Sequence, residues 1–147
     1  MLSIIRVEIK HLQEVAPLFD NYRVFYGQPS NVEAALAFLK ERFSKNESIL
    51  FLAYLDGTPA GFVQLYYTFS SVSLKPSLIL NDLYVSKEFR HRKVGQELLE
   101  KAKSYCVKNG FKGLALETAV DNPAQKLYEK LGWKKDSHCF HYFWTAE

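Results

Sequence analysis

Leu78-Ile79-Leu80-Asn81-Asp82-Leu83-Tyr84-Val85, then a short gap, then Arg90-His91-Arg92-Lys93-Val94-Gly95-Gln96, is the stretch on which the fold turns. Its first half is rich in β-forming residues and predicts a buried strand over residues 77–85. Its second half opens an amphipathic helix over residues 93–109, stopped by Gly110, and a further strand is expected over residues 113–119. Together these make a βαβ unit. The helix begins with four basic residues, Arg90, His91, Arg92 and Lys93, and no Ser, Thr, Asp or Asn stands there to cap it. That is the wrong sign for a helix amino end, where amides and macrodipole favour negative charge by roughly 0.3–1 kcal/mol per group. Amides at a glycine-containing turn ringed by cations make a ready phosphate site, although a solvated basic loop satisfies the same residues.

Outward from this unit the elements are short and clearly punctuated. Residues 3–9 read as a strand, and residues 11–26 carry Leu12, Val15, Leu18, Phe19 and Tyr22 at helical spacing. Gly27-Gln28-Pro29-Ser30 breaks the chain, and Ser30 is placed to cap a second helix with Val32, Ala35, Leu36 and Leu39 on one face. Residues 48–55 and 60–69 flank Asp56-Gly57-Thr58-Pro59 and read as a hairpin. After the βαβ unit, Asn122-Pro123 starts a fourth helix that ends at Gly132, and residues 137–144 alternate as a last strand. The order β-α-α-β-β-β-α-β-α-β predicts an α/β fold: a mixed, mostly antiparallel sheet with a central parallel pair and helices on both faces. Ligands in such sheets favour the carboxyl ends of the strands.

Composition sets the bounds. With 147 residues, 48% of them hydrophobic, the chain suits a single domain, 1–147, with a substantial core. A net charge of +3, from 19 basic against 16 acidic residues, gives no nucleic-acid face. No apolar run approaches the ~18 residues a membrane span needs, and the amino terminus lacks a signal-peptide core, so a cytoplasmic protein is expected. Cys106 and Cys139 form no paired or metal-spaced set. His138, Cys139 and His141 are close in sequence, but strand alternation puts His138 opposite the other two, so no metal is expected.

A second motif, Asn122-Pro123-Ala124-Gln125-Lys126-Leu127-Tyr128-Glu129-Lys130-Leu131-Gly132-Trp133, has its own physical reading. Asn122 suits the N-cap, Pro123 the first helical position, and Gln125 a returning capping-box contact. Ala124, Leu127, Tyr128 and Leu131 lie on one face, so the Tyr128 ring points inward with a hydroxyl that needs a partner; a packing tyrosine fits the same pattern.

The two motifs in this order resemble those of the GCN5-related N-acetyltransferase (GNAT) superfamily, over essentially the whole chain. Asp82-Leu83-Tyr84-Val85 with Arg90-His91-Arg92-Lys93-Val94-Gly95-Gln96 is similar to the family's strand and its Arg/Gln-x-x-Gly-x-Gly/Ala pyrophosphate loop. The Asn122-to-Trp133 segment is similar to its Asn-x-x-Ala-x-x-Leu-Tyr-x-x-x-Gly-Phe/Trp pattern. One departure is Lys93, which stands at the usual first loop glycine and needs either helical backbone or modest strain.

The resemblance implies acetyl-CoA as acetyl donor, with its pyrophosphate on the amides of Arg92, Lys93, Val94, Gly95 and Gln96, flanked by Arg90 and His91. Its pantetheine arm would run along Leu83, Tyr84 and Val85, and Asn122 would contact it or cap its own helix. Tyr128 aligns with the general acid that protonates the departing thiolate. An ordinary tyrosine of pKa ~10 does this uphill by about 2 kcal/mol against a thiol of pKa ~8.5, a deficit that desolvation of the thiolate reduces. The acceptor implied is a primary amine of a small molecule such as a polyamine, an amino acid or an aminoglycoside-like compound. Asp82 and Glu117 are candidate bases, Asp82 resembles the acidic position that holds cationic acceptors, and Tyr26 is an acceptor-site candidate through cation–π contact. A protein or peptide acetyltransferase and a non-catalytic CoA-binding regulatory module are the competing readings. Phe140, Tyr142, Phe143 and Trp144 place apolar residues on both faces of the last strand, which would support a homodimer.

Overall fold

A computed structural model describes residues 1–146. The elements are β1 (Leu2–Arg6), α1 (Leu12–Phe25), α2 (Val32–Ser44), β2 (Ser48–Leu55), β3 (Thr58–Ser70), β4 (Lys75–Val85), α3 (Val94–Lys108), β5 (Leu114–Ala115) and α4 (Gln125–Lys130). The chain forms two compact units, Met1–Glu117 and a second that begins at Thr118.

In the first unit the sheet order is β1-β2-β3-β4-β5. The first four strands pair antiparallel, and β5 pairs parallel to β4 through Leu78 with Leu114 and Ile79 with Ala115. The mixed sheet with one parallel pair is therefore as expected, but the pair lies at the end of the order rather than at its centre. Helices cover both faces. Leu50, Leu52 and Phe62 pack in one cluster with Leu12, Val15 and Phe19 of α1 and Ala35 and Leu39 of α2. Phe51, which alternation turns to the opposite face, meets Tyr105 of α3 at 5.7 Å between ring centroids.

Three expectations are corrected. The cap of α2 is Asn31, whose side chain accepts from the Ala34 N–H, because Ser30 is drawn away to donate to buried Asp20 at 2.6 Å. The strand expected over residues 113–119 shrinks to two residues, since only Leu114 and Ala115 find a register partner on β4. The last strand, residues 137–144, does not form: among the described residues this stretch has no ladder partner, and β-propensity without a neighbouring strand holds little. Phe140, Tyr142, Phe143 and Trp144 are accordingly exposed. The alternation that was to separate His138 from Cys139 and His141 thus has no strand to rest on. Among the described residues no group of three such side chains is placed to hold a metal, and no helix is long and apolar enough to cross a membrane.

Candidate active site

The site is organised by an irregularity in β4. Gln64 pairs with Asp82 but Leu65 pairs with Leu80, so Asn81 is an extra residue on β4. Continued in the lower register, the strand would turn Asp82 toward α3; the inserted residue flips it to the face covered by α1 and α2, beside Gln64. There Gln64 Nε2 donates to Asp82 Oδ2 at 2.7 Å, and Asn81 Nδ2 donates to Oδ1 at 3.1 Å. The Tyr22 hydroxyl of α1 donates to the Asn81 carbonyl at 3.3 Å. Asp82 is only 4% exposed. Burial raises its pKa above the ordinary 3.8, partly opposed by the hydrogen bonds from Gln64, Tyr22 and Asn81. Tyr66, further along β3, is also pushed up, by burial and then by the charge of Asp82, against the pull of Arg42.

An aromatic wall runs from this carboxylate to the end of α1. The Tyr22 ring meets Tyr84 at 6.4 Å, Phe62 at 6.1 Å and Tyr26 at 5.0 Å, all edge-on. Tyr26, the expected acceptor-site residue, is 53% exposed at the carboxyl end of α1. Glu117, the second candidate base, is exposed two residues beyond β5. The sequence reading did not single out Gln64. The signal for Gln64 was one polar residue inside the apolar run Phe62-Val63-Gln64-Leu65.

Among the described residues, β4 beyond Ile79 pairs with β3 alone. Ser86 N–H donates to the Ala60 carbonyl at 2.8 Å, so antiparallel alternation commits the backbones of Tyr84 and Asp82 to β3 and turns those of Leu83 and Val85 to the outer edge. Arg90 ties the following loop to that edge: its Nε donates to the Val85 carbonyl at 3.0 Å, and its guanidinium lies 5.8 Å from the Tyr84 ring centroid. Gly61 allows β3 to approach here, because a Cβ on it would stand 2.6 Å from the Tyr84 carbonyl oxygen.

The loop ends in strained backbone. His91 has φ 63° and Lys93 φ 65°, both left-handed. Lys93 is the N-cap of α3 and contributes no side-chain cap. Of the two conformations open to lysine at this position, the chain takes the strained one. Arg90, His91, Arg92 and Lys93 are all exposed, Val94 is buried, and Gly95 and Gln96 lie in the first helical turn. First-turn amides with cations around them form the donor set an anionic diphosphate requires.

The second unit holds the other motif. Asn122 Oδ1 accepts from the Ala124 N–H at 2.9 Å, but this closes a turn ahead of the helix. The helix α4 begins at Gln125, its N-cap is Ala124 and no side chain caps it, so the cap expected at Asn122 and the helical start expected at Pro123 are corrected. Gln125 also reaches back, but its Nε2 donates to the carbonyls of Val120 and Asn122, at 2.6 and 3.1 Å, and not as a capping box. Tyr128 lies in α4, half-buried, with its ring edge-on to Trp133 at 6.1 Å.

Comparison with known proteins bears on both motifs. Residues 13–133 match the Acetyltransferase (GNAT) family. The chain is 46% identical over 129 residues to the uncharacterized N-acetyltransferase YhfO of Bacillus subtilis, covering 87% of each chain. It is 30% identical over 141 residues to a probable acetyltransferase of Haemophilus influenzae, covering 87% of this chain and 97% of the relative. A crystal structure of a probable acetyltransferase superposes with a TM-score of 0.93 at 39% identity, covering 99% of this chain and 98% of that one.

Proposed function

Because the chain belongs to the GNAT acetyltransferase family, we propose that it transfers the acetyl group of acetyl-CoA to a primary amine of a small molecule. The observation that carries this reading is the outer edge of β4 at Leu83 and Val85, joined by Arg90 to the uncapped start of α3. The donor set fits the ligand. Leu83, Tyr84 and Val85 would hold the pantetheine arm. The amides of Arg92, Lys93, Val94, Gly95 and Gln96, with Arg90 and His91 beside them, would hold the diphosphate. The family match spans both compact units, which supports reading the chain as one domain.

Bound acetyl-CoA supplies an acetyl group activated as a thioester. Outer-edge amides at Leu83 and Val85 would meet the negative charge that develops on the carbonyl oxygen. Asp82, with its raised pKa, takes the proton that an acceptor ammonium must lose before attack, directly or through water. Tyr128 would give its hydroxyl proton to the departing sulfur, and Asn122, accepting from the Ala124 N–H, fixes the turn that leads into α4. The aromatic wall of Tyr22, Tyr26 and Tyr84 beside a carboxylate supports a cationic acceptor. The exposed Phe140, Tyr142, Phe143 and Trp144 support pairing of two copies, and a monomer by gel filtration would contradict that.

Mass-spectrometric detection of acetylated product tests the acceptor class. Product from polyamines, amino acids or aminoglycosides supports the reading. Product from peptides alone replaces it with a protein acetyltransferase, and acetyl-CoA binding with no product replaces it with a regulatory module.

A further inference from the structure

The Gln64 side chain is fully buried, and while its Nε2 donates to Asp82, its Oε1 has no hydrogen-bond partner. A side chain present only to fill space at this point would be apolar, since a buried amide with half its hydrogen-bonding capacity unused weakens a core. The bulge at Asn81 sets Asp82 opposite it, so the contact is built into the strand register. We propose that Gln64 is a positioning residue: by donating to Oδ2 it holds the Asp82 carboxylate ionised and oriented for proton transfer from the acceptor amine. This rests on the reading of Asp82 as the proton acceptor.

The groups around Asp82 make the assignment specific. Asn81 Nδ2 donates to its other oxygen, and Tyr22 approaches from α1. Tyr66 stands on the same strand as Gln64 and is itself pushed up by burial and then by the Asp82 charge, while Arg42 of α2 acts on Tyr66 in the opposite sense. Of the two amide donors to the carboxylate, Gln64 makes the shorter contact, 2.7 Å against 3.1 Å for Asn81. Removing it leaves the carboxylate buried with less to stabilise its charge, so its proton is held to higher pH.

The test uses Gln64→Met, close in volume and without a donor, and Gln64→Glu, which sets a second acid against Asp82. The Asp82 carboxyl is titrated by carbon-13 NMR, and kcat/KM is measured against pH with an accepted amine. In Gln64→Met the carboxyl titration moves up and kcat/KM in the acid limb falls roughly tenfold per pH unit of displacement, with the alkaline plateau retained. In Gln64→Glu both move further, because two adjacent acids resist losing both protons. A carboxyl titration unchanged in folded Gln64→Met and Gln64→Glu overturns the proposal. A titration that moves while the acid limb stays fixed overturns instead the role of Asp82 as proton acceptor, so the two failures are told apart.

Discussion

Gly61 lies so close to Tyr84 that a Cβ on it would sit 2.6 Å from the Tyr84 carbonyl oxygen, with the Val85 Cα and Cγ2 at 3.2 and 3.3 Å. These contacts are to the strand segment that the site needs undistorted. Gly61→Ala should push β4 outward at Tyr84 and weaken acetyl-CoA binding by tenfold or more, since a misplacement of about 1 Å costs on the order of 10²-fold at a reacting centre. Calorimetric titration checks it. Unchanged affinity would mean that the edge at Leu83 and Val85 does not hold the donor.

Lys93 takes a left-handed conformation that favours glycine. Lys93→Gly should relieve strain and stabilise the ligand-free protein by up to about 1 kcal/mol. The same change removes a cation from the start of α3 and should weaken acetyl-CoA binding severalfold. Thermal unfolding and calorimetry read the two effects separately, and tighter binding in Lys93→Gly would show that the ammonium contributes nothing.

Burial holds the Asp82 pKa above its ordinary 3.8, and the sign of the stability effect follows. The folded state binds this proton more tightly than the unfolded chain, so the contribution of Asp82 to stability is fully present below about pH 3.8 and is lost as pH rises through the folded-state value. Asp82→Asn should therefore gain stability relative to the parent as pH rises across that window and then hold a constant advantage. Its turnover should fall by roughly 10²–10⁴-fold, the usual worth of a positioned acid or base. Melting temperatures taken across the pH range would contradict this if the advantage shrank with rising pH.

Tyr128→Phe keeps the ring against Trp133 and removes only the hydroxyl. Turnover should drop on the order of 10²-fold with acetyl-CoA affinity nearly unchanged. Unchanged turnover would make Tyr128 a packing residue.

The elements with strong local signals were legible in the sequence. Residues 48–55 were read to the residue as β2 because the Asp56-Gly57 turn and an apolar run bound them on both sides. The start of α3 was legible because the charge sign at a helix start is local chemistry, whereas α4 begins at Gln125 and not behind a cap at Asn122. What was not legible depends on partners distant in the chain. Asn81 gives no sign that it is an extra residue, since a bulge is defined by the register of two strands, and so the pairing of Gln64 with Asp82 could not be foreseen. Ser30 lost its capping role to a carboxylate ten residues earlier, Asp20. Residues 137–144 have the composition of a strand, but whether a ladder forms is decided by a neighbour.

The central claim is acetyl transfer from acetyl-CoA to an amine, and release of free CoA thiol tests it most directly. With acetyl-CoA and a panel of small primary amines, the account predicts thiol release that requires the amine, matches acetylated product one to one, and rises with pH as the acceptor deprotonates. Saturable acetyl-CoA binding with no amine-dependent thiol release would contradict it.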